Sequence, residues 1–426
     1  MPGDRDVFRA PNGTHDVLPP ESDRWQGFVA AFAMRARRAG FGLLVTPIFE
    51  HVEVVQKLGS TTDAVRKEMY DFADKGGRQL ALRADGTASV ARAFAQHQPL
   101  TPWKVWYVAP NFRYERPQKG RYRQHWQVGV EVLGVDDATV DVEVIALAHG
   151  FYRDDLGLRR TRLLLNSMGD AETRGRYREV LLAHWRRHAA LLGDEISRVA
   201  ANPLRILDSK REDWQDMIET APQIGDYLTD AAAADFETVQ GGLLALGIDF
   251  EIAPRLVSGL DYYTGTTFEF QSDALDAAQN AIGGGGRYDG LVEQMGGKPT
   301  PGIGFALGLD RVVLALAEQG QAAAPAVGPT AIVVGADAED TATRLRLATD
   351  LRAAGLAVRA DLAPRKLGRQ LEGAARDGAH FAVIVGDELA HGQVQVRDLQ
   401  AGTQRSANVA DLARDLSRGQ AGHRHG

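Results

Sequence analysis

Apolar residues recur along this chain in two rhythms, and the rhythm changes mark off its regions. In SDRWQGFVAAFAMRARRAG (22–40), Trp25, Phe28, Val29 and Phe32 fall at helical spacing, predicting an amphipathic helix capped by Ser22 and ended by Gly40. LLVTPIFE (43–50) reads as a strand, and Pro47 within it implies an edge or interface position. Residues 103–133 read as two strands joined by a basic loop. From about 170 to 250 the pattern turns helical, which predicts an inserted helical region. Strand patterns return at 252–271 and 279–283, followed by a strand-to-helix unit at 301–317. EQGQAAAPAVGP (318–329) contains a linker at 323–329. After it, strands TAIVVGA, FAVIVGD and QVQVRDL alternate with two helices, predicting an α/β domain over 330–416 and a disordered tail at 417–426. The whole reads as an α+β chain, with an antiparallel sheet flanked by helices in its first 322 residues.

Composition narrows the function classes. The 426 residues exceed one ordinary core. There is no cysteine, so disulfides and thiolate metal sites are excluded, and a reducing cytoplasm is the natural compartment. The start has no basic region followed by an apolar run, and no segment approaches the roughly 18 apolar residues of a membrane span. A net charge of −7 argues against indiscriminate nucleic-acid binding but leaves room for local basic patches.

One such patch runs from Arg113 to Arg123. Period two places Asn111, Arg113 and Glu115 on one strand face, and His125, Gln127, Gly129 and Glu131 on a face of the next. Trp126, Val128, Val130 and Val132 take the buried side. If the strands pair, the polar groups converge, and Gly129 leaves room for a ligand on the backbone. A solvated sheet face with cross-strand ion pairs is the plain alternative. In GIGFALGLDR, Gly302, Gly304, Ala306 and Gly308 strip one strand face of side chains, and Arg311 opens the following helix. Neither a dinucleotide fingerprint nor a P-loop is present. LRADGT offers Asp85, Gly86 and Thr87 before a helix, where capping is the plain role of Asp85. The four glycines before Arg287, Tyr288 and Asp289 read alone as a turn. Arginines on an antiparallel sheet, with small carboxylate and hydroxyl groups nearby, suit an ATP-using ligase.

Five stretches in order (GTHDVLP, FRYERPQKGRYRQHWQVGVE, LVSGLDYYTG, GGGRYDGL and GIGFALGLDR) resemble the histidyl-tRNA synthetase family of class II aminoacyl-tRNA synthetases. The similarity runs over roughly 9–416, and 330–416 resembles that family's anticodon-binding domain. The resemblance implies ATP and Mg²⁺ as cofactors, L-histidine and tRNA-His as substrates, and a homodimer with Pro47 at its interface. It implies Arg113 on the α-phosphate of ATP, with Glu115, Arg121 and His125 around the adenine and phosphates and Arg311 clamping the other side. Histidine would meet Glu131 and Tyr263 at its imidazole, Asp85, Gly86 and Thr87 at its amino group, and Gln127 at its backbone. Tyr262 and Tyr288 would shape that pocket. Arg116, Gln118 and Arg123 would touch the acceptor end of tRNA. No resident metal is implied beyond Mg²⁺ with ATP.

Three positions depart from the family pattern. Ser258 stands where the family has an arginine between the histidine carboxylate and the α-phosphate. Asp85 replaces a glutamate usual in bacterial members, and Asp310 replaces a glutamate before Arg311, each keeping its charge. Ser258 leaves two readings open: an active or impaired synthetase, or a non-catalytic histidine-binding paralogue of the kind that regulates ATP phosphoribosyltransferase.

Overall fold

The computed structural model describes residues 7–423 except 58, 60–64, 66, 197–198, 200–201, 208, 210, 258–261, 277–279, 321–329, 336–340 and 364. Ser258 and the expected 323–329 linker lie outside the described residues. The chain divides into two compact units, Met1–Ala324 and Pro325–Gly426.

In the first unit the strands are β1 (Gly42–Leu43), β2 (Phe49–His51), β3 (Asp71–Ala73), β4 (Gln79–Leu82), β5 (Trp103–Phe112) and β6 (Gln124–Leu133). They continue with β7 (Thr161–Ser167), β8 (Glu251–Ile252), β9 (Thr264–Ser272), β10 (Ala281–Arg287) and β11 (Gly302–Gly308). Eight form one sheet in the order β1-β5-β6-β11-β10-β9-β7-β8. Its six inner strands pair antiparallel, and the two short edge strands are parallel to their neighbours. β2, β4 and β3 make a small separate sheet.

One face of the large sheet is apolar because alternation points Val128, Val130 and Val132, with Phe268, Phe270, Ile303, Phe305 and Leu307, the same way. Three helices cover it: Glu21–Arg38, Thr139–Gly150 and Leu309–Glu318. Phe28 and Phe32 meet Phe151 edge-on at 5.2 and 5.0 Å between ring centres. Burying each of these rings contributes about 1.5–3 kcal/mol. With one face closed by core, the opposite face carries the site. The segment between β7 and β8 is helical, from Ala171–Arg187 to Asp230–Ala245, around its own core of Tyr177, Leu181, Trp185 and Trp214.

The second unit holds β12 (Ala331–Gly335), β13 (Val358–Ala360), β14 (Phe381–Val385), β15 (Gln393–Asp398) and β16 (Gln404–Asn408), in the order β13-β12-β14-β15-β16. Helices Thr341–Ala353 and Leu367–Arg376 accompany them.

Several local expectations need correction. The first helix begins at Glu21 behind Pro20, with no side-chain cap; Ser22 already lies in its first turn, its N–H on the Leu18 carbonyl. The 43–50 strand is broken, since β1 ends at Leu43 and β2 starts at Phe49 in another sheet, with Pro47 unable to donate between them. The four glycines Gly283–Gly286 form the middle of β10 rather than a turn. They have no room for side chains: a Cβ at Gly284 would stand 2.8 Å from the Phe268 carbonyl, and one at Gly286 2.6 Å from that of Thr266. The tail expected to be disordered continues a helix, Leu412–His423, whose Leu412 and Leu416 are fully buried against the second sheet. Glycine and polar composition misled there, because two leucines at i and i+4 anchor that helix.

Candidate active site

The polar face of the sheet opens into a cavity of about 630 Å³. Register explains the convergence. Asn111 faces His125, Ala109 faces Gln127, and Tyr107 faces Gly129 across β5 and β6, while β11 pairs Ala306 with Gly129 and Gly304 with Glu131. Arg113 follows β5 directly and donates from Nε to the Ala84 carbonyl at 3.1 Å. The loop beyond it closes in a tight turn, Gln118 and Arg121 exchanging backbone hydrogen bonds of 3.1 and 2.8 Å. Gly120 lies in the left-handed region at φ +75°, where a side chain would be strained. Its carbonyl accepts from Arg311 Nε at 3.4 Å, and Arg311 also donates to the Ala281 carbonyl at 2.9 Å.

This end of the cavity is cationic. Arg113, Arg121 and Arg311 line it with Glu115, His125 and Glu269. Arg121 reaches Glu115 at 3.5 Å, and its buried Nε has no hydrogen-bond partner among the described residues. Burial and the charges of Arg113 and Arg311 push His125 down to about 3, so its ring is neutral near pH 7.

The other end is acidic and ringed by hydroxyls. Asp85 accepts from the Ala88 N–H at 3.2 Å in the first turn of helix Thr87–His97, and from the Tyr262 hydroxyl at 3.3 Å. Its plain capping role is therefore present, and burial raises its pKa. Glu131 is fully buried. Thr87 and Tyr107 donate to its Oε1 at 2.7 and 3.4 Å, and Tyr288 donates to Oε2 at 2.6 Å. Burial pushes Glu131 up to about 8, and the same cause holds Tyr107, Tyr262 and Tyr288 protonated as donors.

Asp85, Thr87, Arg113, Glu115, Arg121, His125, Gln127, Tyr262, Tyr263, Tyr288 and Arg311 all line the one cavity. Gly86 and buried Glu131 do not themselves line it, although Asp85, Thr87, Tyr288 and Gly304 beside them do, and Arg116, Gln118 and Arg123 are not part of the lining. Arg123 instead stacks 3.8 Å over Tyr114 and donates to the Glu115 carbonyl, while Arg116 and Gln118 are exposed at the loop. Gln127 accepts a 2.5 Å hydrogen bond from Asn111. Two glycines do other work than expected. At Gly129 a Cβ would stand 2.5 Å from the Tyr107 hydroxyl, so the space serves a tyrosine rather than a ligand. At Gly304 the missing side chain makes way for Glu131 Oε2.

Sequence reasoning missed Tyr107 and Glu269. Stepping back by twos from Arg113 reaches Asn111, Ala109 and Tyr107, and in β9 the same alternation sets Thr267, Glu269 and Gln271 opposite Phe268 and Phe270. Both signals were present in the strand period.

A histidyl-tRNA synthetase family model matches residues 13–312, and an anticodon-binding-domain model matches 329–418. The chain belongs to the histidyl-tRNA synthetase family. It is 46% identical over 420 residues to a histidine–tRNA ligase of Geobacillus kaustophilus, covering 96% of this chain and 98% of that one. It is 44% identical over 416 residues to one of Streptomyces avermitilis, covering 96% and 98%. A crystal structure of apo histidyl-tRNA synthetase from S. aureus superposes with a TM-score of 0.80 at 33% identity, covering 96% of this chain and all of that one. As a member of this family the protein is an aminoacyl-tRNA synthetase. A Bacillus halodurans structure described as an ATP phosphoribosyltransferase regulatory subunit/histidyl-tRNA synthetase shares the fold, with a TM-score of 0.63 at 23% identity. It covers 87% of this chain and 97% of that one.

Proposed function

We propose that the protein ligates L-histidine to tRNA-His in two steps at this cavity. The histidine carboxylate attacks the α-phosphorus of ATP, the bond to pyrophosphate breaks, and the histidyl-adenylate then passes its acyl group to tRNA. The carrying observation is one cavity with arginines at one end and two buried acids among hydroxyls at the other. Arg113 and Arg311 hold the triphosphate from two sides, as planar forks matched to phosphate oxygens. Arg121, with an unsatisfied buried Nε, and Glu115 and neutral His125 surround the nucleotide. Asp85, Gly86 and Thr87 form the amino-group wall, Gln127 lies along the histidine backbone, Tyr262 and Tyr288 shape the pocket, and Glu131 and Tyr263 read the imidazole.

Glu115 and Glu269 offer hard oxygen ligands at the phosphate end, and no group of three or more metal-ligating side chains occurs among the described residues. That donor set fits Mg²⁺ carried in on ATP phosphates rather than caged by protein. The ion would neutralise phosphate charge. Arg116, Gln118 and Arg123 face the acceptor end of tRNA, and 330–416 binds the anticodon, so tRNA affinity falls steeply with salt. A homodimer follows from Leu43, Val45 and Phe49, apolar yet 57%, 81% and 52% exposed around Pro47; sedimentation as a monomer at micromolar concentration would refute it. No helix among the described residues is long and apolar enough to cross a membrane. The absence of cysteine suits the cytoplasm.

Ser258 impairs adenylation without abolishing it, because one charge-stabilising donor is worth about 10²–10³ in rate. Arg255, which lines the cavity and donates to the Glu219 carbonyl at 3.3 Å, is the nearest substitute in the chain. Histidine-dependent ATP–pyrophosphate exchange tests this. Exchange by the protein, with Ser258→Arg faster by about 10²–10³, is the expected result. Equal rates would shift the role to Arg255, and histidine binding without exchange in either protein would favour the non-catalytic paralogue.

A further inference from the structure

The acidic end of the cavity has an electrostatic peculiarity. Glu131 is 0% and Asp85 5% exposed, yet neither makes an ion pair with a Lys, Arg or His among the described residues. Buried carboxyl groups ordinarily have a cation or give up their charge. Around Glu131, each packing element contributes hydroxyls or further acid. Thr87 comes from the helix start, Tyr107 from β5, Tyr288 from the segment just after β10 and Tyr262 from the loop before β9, with Asp85 nearby. Arg113 and buried Arg83 act on Asp85 without pairing with it: Arg113 Nε is held by the Ala84 carbonyl, and Arg83 by the Pro110 carbonyl and the Thr46 hydroxyl.

The oxygens of Glu131 differ. Oε1 accepts two hydroxyl hydrogen bonds and is saturated. Oε2 accepts one, from Tyr288, and has a position left. It occupies the space of the absent side chain of Gly304, a residue that lines the cavity. Oε2 thus stands directly behind the Gly304 stretch of the cavity wall, and three hydroxyl donors already point at the group, as a carboxylate requires. What the site lacks is a cation.

We propose that Glu131 stores a proton in the empty site and gives it to the imidazole of the entering histidine, which enters neutral and is held as an imidazolium. This rests on the reading of the cavity as a histidine site. The O–H bond at Glu131 Oε2 breaks and an N–H bond forms on the ring nitrogen that faced it, leaving carboxylate beside imidazolium with no proton taken from solvent. The three hydroxyl hydrogen bonds become charge-assisted and strengthen. Asp85 adds a second negative charge for the α-ammonium group. A glutamate pushed up to about 8 and a free imidazole near 6.5 leave the transfer neutral in proton count between those values. The site thereby selects a basic ring: an isosteric amino acid whose ring cannot hold a second proton loses the ion pair that a hydrogen-bond inventory alone would grant it.

The test uses the full chain with L-histidine labelled with ¹⁵N in its ring, at about pH 7.3, where free histidine is mostly neutral. The bound ring is expected to show two protonated nitrogens. Calorimetry in two buffers of different ionisation enthalpy is expected to show close to zero protons exchanged per site. A bound ring that stays neutral overturns the proposal and leaves the histidine reading standing. Uptake of about one proton per site overturns Glu131 as the source, since an ionised glutamate would draw that proton from solvent. If labelled histidine gives no bound signal, the histidine reading itself fails and the proposal falls with it.

Discussion

The two ends of the cavity solve opposite problems. At the phosphate end, cations are partly exposed and tethered to backbone: Arg121 keeps 39% of its side chain accessible, Arg311 is moored to the Gly120 and Ala281 carbonyls, and Arg113 to that of Ala84. Backbone acceptors aim Arg113 and Arg311 without neutralising them, and only Arg121 of the three reaches a carboxylate among the described residues, that of Glu115. At the other end, Asp85 and Glu131 are removed from water and surrounded by hydroxyls that can donate but cannot supply charge. The first end receives an anion; the second offers an acid to the α-ammonium group at Asp85 and a proton to the ring at Glu131. An amino acid beside ATP presents phosphates to the first end and its ammonium and ring to the second, so the two ends fix one orientation.

The largest effect is expected at the arginines. Arg311→Ala is expected to lower pyrophosphate exchange by about 10²–10³ while leaving histidine binding in place, read by exchange kinetics and calorimetry. An equal loss of histidine affinity would mean the ends are not separable. At the acid end, Glu131→Gln is expected to raise the KM for histidine by about tenfold to a hundredfold with the KM for ATP unchanged.

The same variant changes how stability depends on pH. Burial raises Glu131 in the folded chain to about 8 from its ordinary 4.5, so the unfolded chain binds fewer protons between those values. The contribution is present below about 4.5 and is lost as pH rises to about 8. Without ligand, denaturant midpoints of the unsubstituted protein should therefore fall relative to Glu131→Gln over that window; parallel curves would show that Glu131 is ionised in the folded state. The smallest effect is expected from Tyr107→Phe, which removes one 3.4 Å hydrogen bond to Glu131 and should weaken histidine binding about two- to tenfold.

Much of this site could be read along the chain because strand alternation is local. Arg113, His125, Gln127 and Glu131 share a face by period two, and the buried valines of β6 confirm which side is core. The family motifs carried the rest of the residue list. Local patterning also revealed the first and last of the three flanking helices, the helical region between β7 and β8, and a second α/β unit, whereas helix Thr139–Gly150, buried on most sides, went unread. What the glycines are for depends on packing between distant strands. Gly129 accommodates Tyr107, Gly304 accommodates Glu131, and Gly283–Gly286 run as a strand between two others. Those outcomes depend on β5, β6, β10 and β11 lying side by side from distant parts of the chain, and no local pattern encodes which neighbour fills a missing side chain. The protonation of Glu131 belongs to the same class. It is set by the water excluded and the cations missing around it, and both are properties of the packed molecule.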